Sequence, residues 1–317
     1  MNFTVTILGS GAALPTQKRM PTSQYINCNN RHFLIDCAEG TQLQLRKFKV
    51  HFQKISHIFI SHLHGDHYFG LVGLLSTMNL LGREKEMTVI GPSELEDIVM
   101  KQLLVGGSKL SYKLNFYPLS YTGKIKIHED DVLEICSFPL KHKIPTCGFI
   151  IKEKPKLLKI NSEKVKGKGI KAEQYQELQK GKDIVLENGD ICPNQELTLP
   201  PHPPMSYAYC SDTKKDTKVV DYIKGCTVLY HEATFLQKEK SLAKKTLHST
   251  TTDAAEIAVS GEVKSLYVGH LSSRYTSDKD HTKELKEVLH KDVITANGKS
   301  LVENIADADC YDRNIIE

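Results

Sequence analysis

The chain has 317 residues, enough to bury one large hydrophobic core or two small ones. Its composition, 40% hydrophobic and 25% charged, is typical of a globular protein. No run is apolar enough, over the needed length, to predict a membrane span. The net charge of +4 predicts no general affinity for polyanions, although it leaves room for a local basic patch.

The N-terminus and the cysteines predict a cytoplasmic protein. Residues 1–14 begin with a strand-like alternation and lack the basic start and cleavage site of a signal peptide. No Cys-x-x-Cys pair occurs among the eight cysteines, at positions 28, 37, 136, 147, 192, 210, 226 and 310. This scatter indicates reduced thiols rather than a disulfide framework.

Hydrophobic patterning predicts two αβ halves. In the first half we expect three helices, at 41–48, 68–81 and 93–104, and strands at 3–8, 24–28, 32–36, 56–60, 87–90, 114–117, 124–127, 132–139 and 147–151. In the second half the pattern predicts strands at 206–211, 226–230 and 264–268, and helices at 215–223, 250–259 and 279–289.

The heptapeptide at 61–67, Ser-His-Leu-His-Gly-Asp-His, carries the strongest chemical signal. It lies on a turn between a predicted strand and a predicted helix, where Gly65 permits a tight backbone path. Residues two apart on an extended segment point the same way, so we expect His62 and His64 to reach one metal ion. Asp66 and His67, after the turn, are expected to reach a second ion. Four metal-competent side chains in one short turn disfavour the alternative of ordinary polar turn residues.

Three further side chains follow predicted strands and complete a possible ligand set: His142, Asp212 and His270. If those strands run alike, all three lie at the same edge as the heptapeptide. A bridging carboxylate such as Asp212 would hold two cations close together. Each residue alone has a structural alternative, as a histidine at the edge of the core or, for Asp212, as a helix N-cap. Imidazole and carboxylate ligands suit zinc, or manganese if oxygen ligands dominate.

A lysine-rich segment separates the two halves. Residues 152–182 contain ten lysines and four glutamates, far above the balance of the whole chain. One interpretation is an arm that grips nucleic acid through its phosphates, with Lys164, Lys166, Lys168 and Lys171 as candidate contacts. The alternative is a solvated surface arm without a ligand.

These motifs together resemble the metallo-β-lactamase fold. Within that superfamily the chain resembles the ribonuclease Z family of tRNA 3′-processing endonucleases. The resemblance extends from the first strand to about residue 275 and depends on the metal-ligand motifs above together with several others: Leu14-Pro-Thr, Phe33-Leu-Ile-Asp36, Glu39-Gly-Thr-Gln42, His231-Glu-Ala-Thr-Phe235, His248-Ser-Thr250 and His270-Leu-Ser-Ser-Arg-Tyr275.

The resemblance implies an α/β protein, a four-layer αβ/βα sandwich formed by one domain over 1–317 with a flexible tRNA-binding arm inserted at 152–195. It implies two Zn²⁺ ions per subunit, with Mn²⁺ as an alternative. One ion would be held by His62, His64 and His142, the other by Asp66, His67 and His270, with Asp212 bridging. It further implies a homodimer that acts on precursor tRNA. The stretch 169–173 departs from the family pattern, because it lacks the Gly-Pro pair usual near the tip of the arm.

The implied reaction cuts a 3′ trailer from precursor tRNA and leaves a 3′-hydroxyl on the tRNA and a 5′-phosphate on the trailer. We expect Asp66 to orient the attacking water or accept its proton, and His248 to protonate the leaving 3′-oxygen. Glu232 would hold the His248 imidazole in the required tautomer and raise its pKa. A structural alternative for His248 is a position before a helix cap. Arg274 is a candidate contact for substrate phosphate.

Two other functions remain open at this stage. A small-molecule phosphodiesterase or other hydrolase of the same fold would use the same metal turn, but it gives no reason for the lysine-rich arm. A non-catalytic RNA-binding protein would retain a structural metal, which is normally closed by four ligands. Seven candidate ligands around two ions favour a reactive centre. The residues after 290 suggest no function.

Overall fold

The computed structural model describes residues 3–289, and these form two compact units. The main unit comprises residues 3–151 and 206–289, and the inserted unit comprises Lys152–Met205. The dipeptide Asn297-Gly298, whose sequence predicts a turn between short strands, lies outside the described residues.

The main unit begins with alternating strands and helices, as the hydrophobic pattern predicts. In chain order these are β1 (Phe3–Gly9), β2 (Gly11–Ala12), β3 (Ser23–Cys28), β4 (Arg31–Cys37), α1 (Thr41–Lys47), β5 (His57–Phe59), α2 (Gly65–Tyr68), α3 (Leu71–Leu80), β6 (Met87–Gly91), α4 (Leu95–Val105), β7 (Leu114–Pro118), β8 (Ile125–Glu129), β9 (Leu133–Leu140) and β10 (Thr146–Glu153).

The inserted unit contains only short elements. They are β11 (Lys159–Ile160), α5 (Ser162–Val165), α6 (Ala172–Gln179), β12 (Ile184–Val185), β13 (Ile191–Cys192), α7 (Asn194–Leu197) and β14 (Thr198–Leu199). The main unit then resumes with β15 (Ser206–Cys210), α8 (Lys218–Ile223), β16 (Val228–Glu232), α9 (Lys240–Thr246), α10 (Thr251–Ser260), β17 (Ser265–Gly269), β18 (Leu271–Ser272) and α11 (Lys279–Leu289).

Two six-stranded sheets form the centre of the main unit. The first has the order β1-β3-β4-β5-β6-β7, and its strands β4 to β7 run parallel. The second has the order β17-β16-β15-β10-β9-β8, and its strands β15 to β17 run parallel. Parallel strands end at a common edge, where loops collect side chains from several strands. This arrangement supplies the edge at which the predicted ligands were expected to meet.

Helices cover the outer face of each sheet. Apolar residues of α1, α3 and α4 pack with the first sheet, and those of α8, α10 and α11 pack with the second. Aromatic rings join the two inner faces, with Phe59 of β5 and Phe149 of β10 at a centroid separation of 5.5 Å. The order helix, sheet, sheet, helix confirms the predicted four-layer sandwich.

Most predicted elements are confirmed within a few residues, but the helix expected at 68–81 is wrong as a single helix. The structure has two helices, α2 and α3, separated at Gly70. The backbone N–H of Gly70 donates to the Cys37 carbonyl, and a side chain at Gly70 would meet the Ala38 oxygen at 2.1 Å. This close approach requires glycine and redirects the chain. Asp66 and His67 therefore lie in a helix of their own.

Two other differences concern the second half. The helix expected at 215–223 begins only at Lys218, because the Asp216 carboxylate accepts its backbone N–H and the Lys214 N–H bonds to the Lys141 carbonyl. Helix α9 was not predicted. Its short sequence contains few apolar residues and gives little periodic signal.

The inserted unit has a small hydrophobic core of its own, formed by Val165, Leu178, Ile184, Cys192 and Leu197. Pairing of β11 with β14 brings residues 198–199 into this unit. The compact unit therefore extends beyond the predicted arm boundary at residue 195, as far as Met205.

No helix among residues 3–289 has the length and hydropathy needed to cross a membrane. The seven cysteines in this part of the chain are buried and form no disulfide with one another, as their spacing predicts.

Two histidines between the sheets couple stability to pH. The rings of His57 and His128 lie 4.3 Å apart. Burial, followed by the effect of His128, lowers the pKa of His57 from 6.5 to about 4, and burial also lowers the pKa of His128. Between about pH 4 and 6.5 the unfolded chain therefore binds more protons at position 57 than the folded chain.

We expect the free energy of unfolding to fall as the pH is lowered from about 6.5 toward 4, by at most about 1.4 kcal/mol per pH unit for this histidine. Urea unfolding at several pH values measures it. The His57→Asn variant should show a shallower dependence, since it has no imidazole to protonate. Identical slopes for the two proteins would contradict the assignment.

Candidate metal centre

The seven predicted ligands converge at one edge of the main unit. His62 follows β5, His64 precedes α2, and Asp66 and His67 belong to α2. The other three lie just after their strands: His142 after β9, Asp212 after β15 and His270 after β17. Asp212 and His270 have positive φ angles of 59° and 55°, a strained backbone that non-glycine residues rarely adopt and that clusters at functional sites.

One group of ligand atoms contains three imidazoles. His64 Nδ1 lies 3.1 Å from His62 Nε2 and 3.2 Å from His142 Nε2. Asp212 Oδ1 lies 3.9 Å from His62 Nε2 and 3.7 Å from His142 Nε2. The ligand atoms of these four residues all lie within 4.8 Å of one another.

The second group of ligand atoms lies near the other oxygen of the Asp212 carboxylate. Asp212 Oδ2 lies 2.9 Å from His67 Nε2 and 3.3 Å from His270 Nε2. Asp66 Oδ2 lies 3.7 Å from His67 Nε2 and 3.5 Å from His270 Nε2. Asp212 thus divides its two oxygens between the two groups, which is the geometry expected of a bridging carboxylate.

This donor set fits divalent metal ions. Zinc–nitrogen bonds of about 2.0–2.1 Å in tetrahedral array place neighbouring ligand atoms about 3.3 Å apart, close to the separations above. His67 Nε2 and His270 Nε2 are also buried without a hydrogen-bond partner among the described residues, although Asp212 is near both. Buried polar nitrogens without a partner are costly unless they bind an ion.

Buried partners fix the orientation of the imidazoles. His67 Nδ1 donates to Asp36 Oδ2 at 2.7 Å, and His270 Nδ1 donates to the Thr234 hydroxyl at 2.9 Å. His62 Nδ1 lies 3.0 Å from the Ser61 hydroxyl. Such partners set the tautomer of a ligating histidine and leave the opposite nitrogen free for the metal.

Asp36 and Thr234 were missed as site residues by sequence reasoning. Asp36 is fully buried and accepts the Ser61 N–H, the Ser61 hydroxyl and the Tyr209 hydroxyl in addition to His67. The available signal was a charged residue at the end of an otherwise apolar strand, Phe33-Leu-Ile-Asp36. A carboxylate buried there requires partners, and these come from both sheets.

The pKa shifts favour the metal-binding forms of most ligands. Burial, together with neighbouring imidazoles, lowers the pKa of His62, and burial also lowers the pKa values of His64 and His142. Burial alone would raise the pKa of Asp212, but His270 and His67 hold it well below its usual range. Neutral imidazoles and an ionised carboxylate are the forms that bind a cation.

His67 differs, since Asp212 and Asp36 overcome the effect of burial and raise its pKa. With Nδ1 of His67 donating to Asp36, the additional proton lies on Nε2, facing Asp212. A metal ion bound by His67 would take the place of this proton. Metal binding at this group is therefore expected to release a proton.

His248 and Glu232 form a buried pair beside the ligands. His248 Nδ1 donates to Glu232 Oε1 at 3.0 Å. Burial alone would lower the pKa of His248, but the Glu232 carboxylate and then Asp212 raise it to about 9. His248 also lies within ligand distance of Asp212 and His270, but its Nδ1 is engaged by Glu232.

Glu232 also organises the loops around the pair. Its carboxylate accepts the Thr213 and Ser249 backbone N–H groups at 2.6 and 3.1 Å, and the Thr234 hydroxyl at 2.6 Å. Four donors around one fully buried carboxylate keep it ionised and hold the His248 imidazole in one orientation.

The candidate substrate contacts are Arg274 of the main unit and four lysines of the inserted unit. Arg274 pairs with Glu239 at 3.2 Å and stands over the Phe235 ring at 5.0 Å, which gives it a structural role as well. The lysines of the inserted unit, Lys164, Lys166, Lys168 and Lys171, are all solvent-exposed. Lys171 lies 3.8 Å from Glu187, and both side chains are exposed.

A cavity of about 600 Å³ opens onto the ligands. His64, Asp66, His142, Asp212 and His270 line its floor together with His248. Its remaining walls include Leu14, Pro15, Glu39, Phe69, Lys143 and Phe235. The volume lies within the range of about 300–1,000 Å³ that small-molecule sites occupy.

Comparisons with known proteins place this site in a family. A protein named ribonuclease Z from Parabacteroides distasonis is 40% identical over 95% of this chain and 99% of its own length. The ribonuclease Z of Phocaeicola vulgatus is 42% identical over 90% of this chain and 93% of its own length. The chain belongs to the ribonuclease Z family. The family predicted from the sequence motifs is confirmed.

Structural comparisons agree with this family and its fold. The short form of human tRNase Z matches with a TM-score of 0.63 and 26% identity, covering 86% of this chain and 94% of the human one. The Bacillus subtilis metallo-β-lactamase fold protein YhfI matches with a TM-score of 0.62 and 15% identity, covering 93% and 97%, which shows the shared fold. A family model described as anti-Pycsar protein Apyc1 matches residues 3–155. The chain is therefore a metallo-β-lactamase-fold hydrolase, as predicted.

Asp36 provides a test of how this ribonuclease Z family site is supported. The Asp36→Asn variant keeps the shape of the side chain but loses the charge that holds the N–H of His67. We expect the affinity for divalent metal to fall about 10- to 100-fold. Chelator competition measures this affinity, and circular dichroism verifies the fold. Asp130→Asn, which breaks an ion pair with Arg31 instead, is the control and should bind metal normally. Unchanged affinity in Asp36→Asn would contradict the supporting role.

Proposed function

We propose that this protein is a metal-dependent endoribonuclease that removes the 3′ trailer from precursor tRNA in the cytoplasm. The products are a 3′-hydroxyl on the tRNA and a 5′-phosphate on the trailer. The observation that carries the proposal is a set of ligands in two groups, with one oxygen of Asp212 near each group. The His248–Glu232 pair lies beside this set, and the chain is a member of the ribonuclease Z family.

Two divalent ions are proposed per subunit, zinc in preference to manganese because nitrogen donors predominate. His62, His64 and His142 would hold one ion, and Asp66, His67 and His270 would hold the other. Asp212 would be a ligand shared by both. When bound, such a pair of ions stabilises charge on a phosphodiester and lowers the pKa of a nearby water.

Asp66 is proposed to orient the attacking water or accept its proton. The Ala13 backbone N–H donates to Asp66 Oδ2 at 2.7 Å and fixes this carboxylate at the cavity. Its pKa is lowered despite burial, mainly by His270 and His67, so it is ionised and able to accept a hydrogen bond from the water.

His248 is proposed to protonate the leaving 3′-oxygen. Its raised pKa of about 9 keeps the imidazolium populated near neutral pH, and its ring lines the cavity. Glu232 holds Nδ1, which leaves the Nε2 proton available for donation. The structural alternative is that His248 merely precedes the N-cap of α10, which is Thr250. A position before a cap gives no reason for the buried Glu232 carboxylate that pairs with the His248 imidazole.

The inserted unit is proposed as the arm that binds the body of precursor tRNA. Exposed Lys164, Lys166, Lys168 and Lys171 supply positive charge without rigid base-reading geometry, which suits contact with phosphates. Arg274 contributes a weaker phosphate contact beside the cavity. The functional protein is proposed to be a homodimer, as the family resemblance implies.

A small-molecule hydrolase of the same fold is disfavoured. That function would not require the exposed lysines of the inserted unit or a proton donor as strongly organised as His248. It would also be unexpected in a chain that shares about 40% identity over nearly its full length with ribonuclease Z relatives.

Incubation with a precursor tRNA carrying a 3′ trailer, and separately with bis-p-nitrophenyl phosphate, tests the proposed function. Cleavage directly after the discriminator base supports it. Turnover of the small ester alone would favour a small-molecule hydrolase, and turnover of neither by metal-loaded protein would favour a non-catalytic RNA-binding protein.

The His248→Ala variant separates proton donation from metal binding. We expect cleavage of precursor tRNA to slow about 10²- to 10⁴-fold, because the leaving 3′-oxygen is strongly basic. Turnover of bis-p-nitrophenyl phosphate should fall much less, since nitrophenolate leaves without a proton. Single-turnover rates on both substrates measure the difference.

Metal content determined by mass spectrometry should be unchanged in this variant, and His51→Ala, an exposed histidine outside the site, is the matched control. Loss of metal from His248→Ala, or equal loss on both substrates, would refute the assigned role.

Replacing Lys164, Lys166, Lys168 and Lys171 by alanine tests the arm. We expect kcat/KM for precursor tRNA to fall and its dependence on salt to become weaker, by about 0.7–0.9 in the log–log slope for each phosphate that the variant no longer neutralises. The small ester should be turned over normally. Alanine at Lys85, Lys101, Lys109 and Lys113, four exposed lysines of the main unit, is the control. An unchanged slope in the arm variant would refute the hypothesis.

A further inference from the structure

Phe69 is an exposed aromatic side chain on the wall of the cavity. It lines the same cavity as His64 and Asp66, yet 67% of its surface is exposed to solvent. Most large apolar side chains of the main unit are buried in its two cores. A phenylalanine kept open beside catalytic residues therefore suggests a ligand surface.

The backbone fixes the position of this ring. The Phe69 N–H donates to the Gly65 carbonyl at 3.0 Å, and the next residue, Gly70, donates to the Cys37 carbonyl at 2.9 Å. The ring lies against Gly65, where any side chain would meet it at 2.2 Å. Tyr68 supports it from the side, with ring centroids 5.0 Å apart. Phe69 is thus held in place on one side and open on the other.

This geometry matches the way proteins bind unpaired nucleotides. Single-stranded RNA bases stack on aromatic side chains, and the contact tolerates any base because every base has a π-face. Where the trailer next to the cleavage site is unpaired, its bases are free to stack. A rigid ring also loses little conformational entropy on binding.

We propose that Phe69 is a stacking platform for the base of a nucleotide that directly flanks the scissile phosphate. The proposal rests on the proposed function and adds a nucleobase subsite to it. Phe69 takes no part in metal binding, proton transfer or the core. Phe69 directly follows α2 and lines the same cavity as Asp66, which puts the subsite beside the reacting centre rather than on the inserted unit.

The test compares Phe69 variants on precursor tRNA. We expect Phe69→Ala and Phe69→Leu to lower kcat/KM about 5- to 150-fold, which corresponds to the loss of one stacked base. Phe69→Tyr should retain most activity because it keeps the ring. Metal content and thermal unfolding should be unchanged, since the side chain is largely exposed. Tyr117→Ala removes another exposed aromatic, 57% exposed and outside the cavity, and is the matched control.

Abasic substrates identify the partner of the ring. Cleavage by wild type and by Phe69→Leu is measured on two precursor tRNAs, one lacking the base on the 5′ side of the cleavage site and one lacking the base on the 3′ side. On the substrate that lacks the stacked base, the two proteins should have equal kcat/KM. A persistent difference on both substrates, or a Phe69→Leu variant as active as wild type on normal precursor, would overturn the proposal. Failure of the wild type to cleave precursor tRNA would instead refute the proposed function.

Discussion

The buried carboxylate of Asp36 is the interaction on which the site and the two sheets depend. It accepts hydrogen bonds from His67, from both the N–H and the hydroxyl of Ser61, and from the Tyr209 hydroxyl of the opposite sheet. A fully buried charge is tolerable only when such donors surround it. The same contacts that satisfy Asp36 therefore tie the sheets together and orient a metal ligand, so stability and metal binding share one cause.

Glu232 has the corresponding role on the second sheet. It gathers backbone donors from two loops and a side-chain donor from Thr234, which in turn accepts from His270. One carboxylate thus connects the proposed proton donor His248 with a ligand of the second metal group. Because both sides of the edge are built from fully satisfied buried carboxylates, the ligand atoms are positioned before any ion or substrate arrives.

The sequence predicted the sandwich and most of its elements because apolar periodicity and strand-end polar residues are local features. It also predicted that His142, Asp212 and His270 would meet at one edge if the strands before them run alike, and β15 and β17 do both run parallel to β16. The break at Gly70 was not predictable, because its cause is a carbonyl of Ala38 that lies 32 residues away in the chain. Asp36 and Thr234 were missed for the same reason: their partners come from distant segments, and only the fold shows that they meet.

The charge that two bound divalent ions would give the centre would suit a phosphodiester. Two divalent ions would bring four positive charges, and the ligand set contains only two carboxylates, Asp66 and Asp212. Of the other nearby carboxylates, Glu232 is balanced by the protonated His248, and Asp36, which accepts from His67, adds at most one further negative charge. The loaded centre would therefore keep a net positive charge, held in a partly buried site where electrostatic attraction is stronger than in water. An anionic phosphate is drawn to that charge whichever base it carries, so discrimination among nucleic acids has to come from surfaces away from the ligands.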